Sequence, residues 1–311
     1  MRVAPLIPMP ELLAVTLRDP SSALTARFVP GAGMIGTSLS DDGVELLGQR
    51  RGLQSYVANG KTMGIPILYP WANRLGASAY TVDGQTVSLS PGAGGVRTDP
   101  NGLPIHGLLA AYPGWQVEAA LTSELIAELD FGADPALLAG FPFPHRLQLN
   151  VTLADRTLTL RTTVTATSDT AVPLCFGFHP YLQIPETPRA QWIIETPAMR
   201  HLDVDERGLP TGATTDQAPA TEPLRDKVFD DGYDHVAAGA TFAVSGGTRR
   251  IKLRFDQGYS AAQIFAPARE DVVCFEPMAA PTDALRRGAY RCAHPDRPAA
   301  AAFSMTVERP D

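Results

Sequence analysis

Alternation of apolar and polar side chains over residues 145–168, HRLQLNVTLADRTLTLRTTVTATS, constrains the fold more than any other stretch of the chain. Apolar side chains recur at even spacings on both sides of a short break at ADR: Leu147, Leu149, Val151, Leu153, Leu158, Leu160 and Val164. Successive side chains of a β-strand point to opposite faces, so this period of two predicts a hairpin with one buried face.

Further patterns of the same kind predict an all-β fold. YTVDGQTVSL, residues 80–89, reads as a second hairpin whose two-residue turn is Asp83 and Gly84. RRIKLRF, SAAQIFAP, DVVCFEP and AAFSMTVER read as further strands, whereas DPALLAG near residue 137 predicts a helical turn or two. Residues 210–223, PTGATTDQAPATEP, are the most loop-like segment. Without a fixed-period repeat, we expect one large antiparallel β-sandwich that spans residues 1–311 as a single domain.

Composition narrows the classes of partner. The chain is 44% hydrophobic and 19% charged, which is typical of a globular protein. A net charge of −7 without a long basic run argues against nucleic acid and anionic membranes as partners. No stretch approaches the roughly 20 apolar residues of a membrane span, and the proline-broken start lacks the apolar core of a signal peptide. Three scattered cysteines without a C-x-x-C pair favour a reduced cytoplasm, with the bacterial periplasm left open.

Two strand-like stretches each place a titratable residue after apolar ones. Glu276 follows four apolar residues and precedes proline in VVCFEP. It is either a strand-terminal carboxylate, tied to an arginine or exposed to water, or a desolvated base with a raised pKa. His179 lies in FGFHPYLQIP, where Pro180 removes a backbone donor and favours a strand end. Its ring is either a satisfied core group or a proton donor and acceptor near neutral pH.

Two loop-like stretches carry further candidates. His106 sits between Gly102 and Gly107, which permit unusual backbone and the close approach of a ligand, although a turn histidine is commonly just exposed. Arg74, in YPWANRLG, offers several donors suited to vicinal hydroxyls or a carboxylate, or forms a surface ion pair. No G-x-S-x-G, P-loop, G-x-G-x-x-G or close metal-ligand pair occurs, so acid–base chemistry without cofactor or metal is the reading that remains.

The ordered set of these stretches resembles the aldose 1-epimerase, or galactose mutarotase-like, family. The resemblance runs from FVPGAGMIGTSLSDDGVELL through YPWANRLG, LPIHGL, FPFPHRLQL and FGFHPYL to DDGYDHV, AAQIFAP and CFEPMAAPTDAL. It implies a supersandwich whose open face binds a monosaccharide and interconverts its α and β anomers. By this resemblance His179 looks like the general acid and Glu276 like the general base. Sugar hydroxyls would be held by the matching residues Arg74, His106, Asp234 and Gln263.

The chain departs from the family at positions that bear on the sugar. HPYLQI stands where many members have HSYFNL or HPYF, and Met278 stands where sugar-specific members often have glutamine. One alternative is therefore a mutarotase for hexose 6-phosphates, with Arg249–Arg250 or Arg286–Arg287 as the phosphate anchor. The other is a carbohydrate-binding protein of the same fold without turnover.

Overall fold

The computed structural model describes residues 12–82 and 84–310. Asp83, predicted in the second hairpin turn, and the N-terminal residues 1–11 lie outside these ranges. The strands are β1 (Val15–Arg18), β2 (Leu24–Val29), β3 (Ile35–Asp41), β4 (Val44–Glu45), β5 (Ile67–Leu68), β6 (Ala79–Val82), β7 (Gln85–Ser88), β8 (Gln116–Ala120), β9 (Glu124–Asp130), β10 (His145–Ala154), β11 (Thr157–Ala166), β12 (Val172–Leu174), β13 (Gly177–Phe178), β14 (Tyr181–Leu182), β15 (Ile193–Thr196), β16 (Met199–Val204), β17 (Pro210–Gln217), β18 (Ala220–Pro223), β19 (Phe229–Asp234), β20 (Thr241–Gly246), β21 (Arg249–Gln257), β22 (Ala261–Ala266), β23 (Val273–Met278), β24 (Arg291–Ala293) and β25 (Ala299–Glu308).

Helical segments are short. The α-helices are α1 (Gly52–Asn59), α2 (Pro135–Gly140) and α3 (Ala284–Arg287), and 3₁₀ turns span Pro30–Ala32, Ala93–Gly95, Phe131–Ala133 and Arg189–Gln191. The helix α2 is the turn or two predicted from DPALLAG, and Asp134 caps it by accepting a hydrogen bond from the backbone of Ala136 at 2.8 Å. The helix α1, in RGLQSYVANG, was not predicted from the sequence.

Two large antiparallel sheets dominate the described residues. One has nine strands in the order β18-β15-β20-β21-β25-β11-β10-β9-β8, and the other has eight, β17-β16-β19-β22-β23-β13-β5 with β14 beside β23. A four-stranded sheet, β1-β2-β3-β4, and the pairs β12-β24 and β6-β7 complete the fold. The predicted all-β sandwich is therefore confirmed.

The predicted central hairpin is β10 and β11. Its turn is Asp155–Arg156, both at positive φ, and the register pairs Leu153 with Leu158. The alternating leucines and valines are fully buried, because one face of this hairpin covers the core while the other carries threonine, arginine and glutamine.

Residues 210–223 correct a prediction, since this loop-like segment forms β17 and β18 at one edge of each large sheet. Most side chains of both strands are exposed, so no apolar alternation marks them. Their pairing with β16 and β15 rests on backbone hydrogen bonds, which leave no signature in side-chain chemistry.

Aromatic contacts show that the two large sheets face each other. Phe242 on β20 stacks on Phe275 of β23 at 5.3 Å between ring centroids, and Phe303 on β25 lies 5.1 Å from Phe178 of β13. Side chains alternate along a strand, so the residues next to Phe178 and Phe275 point away from this core. Those neighbours are His179 and Glu276.

Candidate active site

Strand register brings His179 opposite Glu276 on the outer face of the eight-stranded sheet. Gly177 pairs with Met278, and Tyr181 pairs with Cys274, so the intervening position 179 faces position 276. Strand β13 ends at Phe178 and β14 begins at Tyr181, which agrees with the strand end predicted from Pro180. A row across the sheet then continues from Glu276 to Gln263 on β22 and to Gly232 on β19.

The two residues singled out as acid and base are in direct contact. His179 Nε2 lies 3.2 Å from Glu276 Oε1, although 97 positions separate them in the chain. Their side chains are 6% and 2% exposed. Burial raises the pKa of the Glu276 carboxyl well above its usual range, and Asp230 raises it further while Arg74 lowers it. Burial lowers the pKa of His179 well below its usual range, assisted by His106 and Arg50.

The raised pKa of Glu276 and the lowered pKa of His179 together favour a pair that holds one proton in total. Removing two charges from water is costly, so the buried pair favours a neutral carboxylic acid beside a neutral imidazole over an ion pair. The neutral pair and the ion pair hold the same number of protons. They differ only in whether the proton lies on Glu276 Oε1 or on His179 Nε2, which are 3.2 Å apart. A pair that holds one proton contains both an acid and a base, as acid–base catalysis requires.

His145 shows what a structural histidine looks like in the same fold. It is fully buried, and burial lowers its pKa to about 4. Its Nε2 meets Tyr69 Oη at 2.5 Å, and its Nδ1 meets the carbonyl of Phe143 at 2.5 Å. By contrast, Nδ1 of His179 and Oε2 of Glu276 are buried and have no hydrogen-bond partner among the described residues. Buried polar atoms normally have partners, so these two are candidate contacts for ligand atoms.

His106 closes one side of the pair. Its ring lies 5.7 Å from the ring of His179, edge to face, and its backbone sits at φ 61°. Gly107 supports this turn, because a Cβ there would lie 2.0 Å from the carbonyl oxygen of Tyr69. Burial, with Arg74 as the next cause, lowers the pKa of His106 to about 3, so its ring is neutral. Its Nδ1 also has no partner among the described residues.

Arg74 is held in one orientation near His106 and Glu276, the pKa values of which it lowers. Its Nε donates to Asp99 Oδ2 at 2.8 Å and its Nη1 to Asn73 Oδ1 at 3.1 Å. The carboxylate of Asp99 is 2% exposed, so the guanidinium of Arg74 is held by a buried group. A guanidinium fixed in this way presents its remaining donors in a defined plane, which suits recognition of adjacent hydroxyls.

Gln263 and a residue that the sequence analysis missed form the next part of the face. Gln263 Nε2 donates to Asp230 Oδ1 at 2.7 Å, which orients the amide oxygen toward the space above Gly232. A Cβ at Gly232 would lie 3.2 Å from that oxygen, so the glycine leaves room beside it. Asp230 precedes Asp234 by four positions on one strand, and this even spacing is a sequence signal that both share a face.

Asp234 lies one row further along the same face. It accepts two hydrogen bonds from Arg200, at 2.8 and 2.7 Å, in a fork-shaped ion pair. Both residues line a cavity of about 360 Å³ together with Leu202, Thr282 and Arg287. The structure thus gathers His179, Glu276, His106, Arg74 and Gln263 around one centre. Asp234 belongs to the adjoining cavity, about 7 Å further along the strands at roughly 3.3 Å per residue.

Two absences concern only the part of the chain that the structure describes. Across residues 12–82 and 84–310, no three His, Cys, Asp or Glu side chains lie close enough together to hold a metal ion. Over the same ranges, no helix has the length and apolarity needed to cross a membrane.

Comparison with known proteins gives a family and a fold. A family model described as Aldose 1-epimerase matches residues 15–295. The solved structure of the Slr1438 protein from Synechocystis sp. PCC 6803 is similar, with a TM-score of 0.79 and 22% identity over 100% of both chains. A putative aldose 1-epimerase from Escherichia coli K12 has a TM-score of 0.75 and 21% identity, over 96% of this chain and 99% of that chain.

Two further relatives extend the comparison. Galactose 1-epimerase from Lactobacillus acidophilus NCFM has a TM-score of 0.74 and 12% identity, over 97% of this chain and 100% of that chain. The uncharacterized protein YihR of Escherichia coli (strain K12) is 30% identical over 146 residues, which are 47% of this chain and 44% of that protein. The match therefore spans less than half of the length of YihR.

Proposed function

The chain belongs to the aldose 1-epimerase family, and on this basis we propose that it interconverts the α and β anomers of a monosaccharide on the outer face of its eight-stranded sheet. The observation that carries the proposal is the buried contact of 3.2 Å between His179 Nε2 and Glu276 Oε1. Such a pair, holding one proton, matches a reaction that needs one acid and one base and returns both unchanged.

Ring opening uses both members of the pair. The base takes the proton of the C1 hydroxyl, the acid protonates the ring oxygen, the bond between C1 and the ring oxygen breaks, and C1 becomes a carbonyl. Rotation about the C1–C2 bond then presents the other carbonyl face. On closure the hydroxyl formed from the former ring oxygen attacks C1 and loses its proton, while the carbonyl oxygen takes one up, so no net proton leaves the site.

Family resemblance assigns the base to Glu276 and the acid to His179. This assignment requires the arrangement with a carboxylate and an imidazolium, whereas burial by itself favours the arrangement with a neutral acid and a neutral imidazole. A proton transfer between the two atoms converts one into the other, and hydroxyl groups of a bound sugar would replace part of the lost hydration. His106, Arg74 and Gln263 surround the pair and would hold hydroxyls through their polar atoms, and Asp234 would contact the far end of the sugar.

The test is the anomerisation of freshly dissolved α-glucose and α-galactose, followed by polarimetry or NMR with the spontaneous rate subtracted. His179→Asn and Glu276→Gln should each lower kcat by about 10²–10⁴-fold, the usual contribution of one general acid or base. His294→Asn and Glu118→Gln are matched controls, because both residues are exposed and Glu118 lies on β8, at the edge of the other large sheet. Unchanged rates in His179→Asn and Glu276→Gln would contradict the catalytic roles and favour a carbohydrate-binding protein.

A hexose 6-phosphate is the second candidate substrate. The two arginine pairs named as phosphate anchors differ in how well they could bind it. Arg249 and Arg250 lie on β21 in the other large sheet, where both are bound to carboxylates. Arg286 binds Asp283, but Arg287 lines the cavity that also contains Arg200. A phosphate dianion needs such a basic anchor. If a 6-phosphate is preferred, Arg287→Gln should lower kcat/KM for it by more than for the free hexose.

A further inference from the structure

Asp283 binds the backbone that carries Arg74. Its carboxylate oxygen Oδ1 accepts a hydrogen bond of 2.7 Å from the backbone N–H of Gly76, which is 207 positions away in the chain. Its own backbone N–H donates to the carbonyl of Arg74 at 3.0 Å. Asp283 is 7% exposed, so little water competes for these two bonds.

The role of this aspartate is not explained by the helix that follows it. Asp283 directly precedes α3, and an aspartate in that place commonly caps a helix by accepting a backbone hydrogen bond from its first turn. Its side chain makes no such bond, and its backbone lies in the left-handed region at φ 65°, which residues other than glycine rarely adopt. The carboxylate faces Gly76 instead, and Nη1 of Arg286 donates to it at 3.2 and 3.3 Å.

The other edge of the Arg74 segment is bound to the turn that carries His106. The backbone N–H of His106 donates to the carbonyl of Asn73 at 2.9 Å, and that of Leu75 donates to the carbonyl of Pro104 at 2.8 Å. Backbone groups of an extended segment point alternately to its two sides, so the bonds to Asp283 lie on the opposite edge. The segment is therefore held on both edges, and Asp283 supplies one of them.

Asp283 also adjoins the wall of the cavity that contains Asp234. Thr282 precedes Asp283 in the chain, Arg287 lies on the helix that follows it, and both line this cavity. Asp283 thus connects the backbone of Arg74, near the catalytic pair, with the wall beside the far end of a bound sugar.

We propose that Asp283 is a positioning residue, which fixes the place of the Arg74 guanidinium beside the catalytic pair without touching the sugar. The inference rests on the proposed function, in which Arg74 holds sugar hydroxyls. Arg74 is anchored by Asp99 at its side chain and by Asp283 at its backbone. A hydrogen bond weakens steeply when its length or angle departs from the usual range, so a displaced backbone would lower the affinity for the sugar.

Three substitutions of Asp283 separate its carboxylate from its backbone conformation. Asp283→Ala and Asp283→Gly both remove the acceptor for Gly76, but only glycine adopts the left-handed backbone without strain. In the anomerisation assay each should raise KM about tenfold, the value of one hydrogen bond to the sugar, with less than threefold change in kcat. Asp283→Asn keeps an oxygen for Gly76, tolerates the left-handed backbone and loses only the partly exposed ion pair with Arg286. Its KM should stay within about threefold of the unmodified protein.

Asp19→Ala is the matched control. Asp19 is 5% exposed, and its carboxylate likewise accepts backbone hydrogen bonds, from Asp155 at 3.1 Å and Arg156 at 2.8 Å in the turn between β10 and β11. Its loss should lower Tm and leave KM unchanged. In an Arg74→Ala background, Asp283→Ala should change KM by less than about twofold, because no guanidinium remains to be displaced.

NMR spectroscopy gives a readout that depends neither on turnover nor on the sugar chosen. In the unmodified protein the Gly76 amide should exchange slowly with solvent, and the Arg74 Nε–H, bound to Asp99, should give a distinct signal. Asp283→Ala should speed exchange at Gly76 at least about tenfold and shift the Arg74 signal. Asp283→Asn and Asp19→Ala should leave both close to their values in the unmodified protein.

The outcomes separate this inference from the proposed function. Absence of anomerisation by the unmodified protein, together with a shifted Arg74 signal in Asp283→Ala, would contradict the function and support the positioning role. Anomerisation with the same KM and the same Arg74 signal in the unmodified protein and Asp283→Ala would overturn the positioning role and leave the function standing. An equal rise of KM in Asp283→Ala and Asp19→Ala would also overturn it, because a general loss of stability would explain both.

Discussion

Asp41→Asn tests the charge network that joins the four-stranded sheet to the nine-stranded sheet. Asp41 ends β3 and is fully buried, and its Oδ2 lies 2.7 Å from Arg249 Nη1, 2.8 Å from Arg309 Nε and 3.0 Å from Arg156 Nη2. Removing one partner of a buried ion pair costs about 3–5 kcal/mol, because the other charge is left uncompensated. Arg249 would keep Glu186, at 2.6 Å, so the lower end of this range applies.

The expected change in melting temperature follows from the length of the chain. An unfolding entropy of about 2.1 cal/mol/K per residue gives about 0.65 kcal/mol/K for 311 residues, so a loss of about 3 kcal/mol lowers Tm by about 5 °C. Thermal unfolding followed by circular dichroism or calorimetry at pH 7 measures it. Asp42→Asn is the matched control, since Asp42 is 70% exposed and lies 3.6 Å from Arg309; its Tm should change by less than about 1 °C. Equal losses in both variants would refute the reasoning.

The difference in Tm between the unmodified protein and Asp41→Asn should also depend on pH. Burial alone would raise the pKa of Asp41, but hydrogen bonds from Arg309 and Arg156 outweigh it and hold the pKa below the ordinary 3.8. A carboxylate with a lowered pKa stabilises the fold fully above its ordinary pKa, and this contribution is lost as pH falls through the lowered value. The difference in Tm between the unmodified protein and Asp41→Asn should therefore shrink below about pH 4.

Three further predictions concern the proposed active site. Asp230→Asn removes a negative charge that raises the pKa of Glu276, and because Glu276 and His179 titrate as one pair, both limbs of the kcat profile should move to lower pH; an unmoved profile would contradict the coupling. Gly232→Val places a side chain against Gln263 Oε1, 3.2 Å from the new Cβ, and should raise KM more than tenfold while overpacking lowers Tm by at most about 5 °C, as measured by initial rates and thermal unfolding. Arg74→Lys replaces a planar donor group by a point charge and should raise KM at least threefold in the same assay; an unchanged KM would argue against sugar contact.

Much of the fold was predictable, because the β backbone imposes a local rule. Alternation identified the β10–β11 hairpin and the strands that became β21, β22, β23 and β25. The edge strands β17 and β18 escaped this reasoning, since their exposed side chains carry no pattern. The helix α1 escaped as well, with Tyr56 as its one fully buried side chain.

The candidate site divides in a similar way. His179, Glu276, His106, Arg74 and Gln263 were named from the sequence, and the structure gathers them around one centre. Asp234 shares their face but is paired with Arg200 at the adjoining cavity.

Three further contributors emerged only from the structure. Asp230 lies against Gln263, Tyr181 lies against His179, and Thr62 lies against Tyr181. Asp230 and Gln263 are 33 positions apart in the chain, and Thr62 and Tyr181 are 119 positions apart. Tyr181 and His179 are only 2 positions apart, but this spacing does not predict that their rings stack.

The sequence by itself determined which side chains leave the core. Phe178 and Phe275 point inward and their neighbours His179 and Glu276 point outward, because side-chain direction alternates along any β-strand. Only the tertiary structure decided that those neighbours meet at 3.2 Å and that Arg249 forms ion pairs with Asp41 and Glu186. Alternation is a property of each strand, whereas the register between strands depends on the whole sandwich, which must satisfy backbone hydrogen bonds and fill one core together.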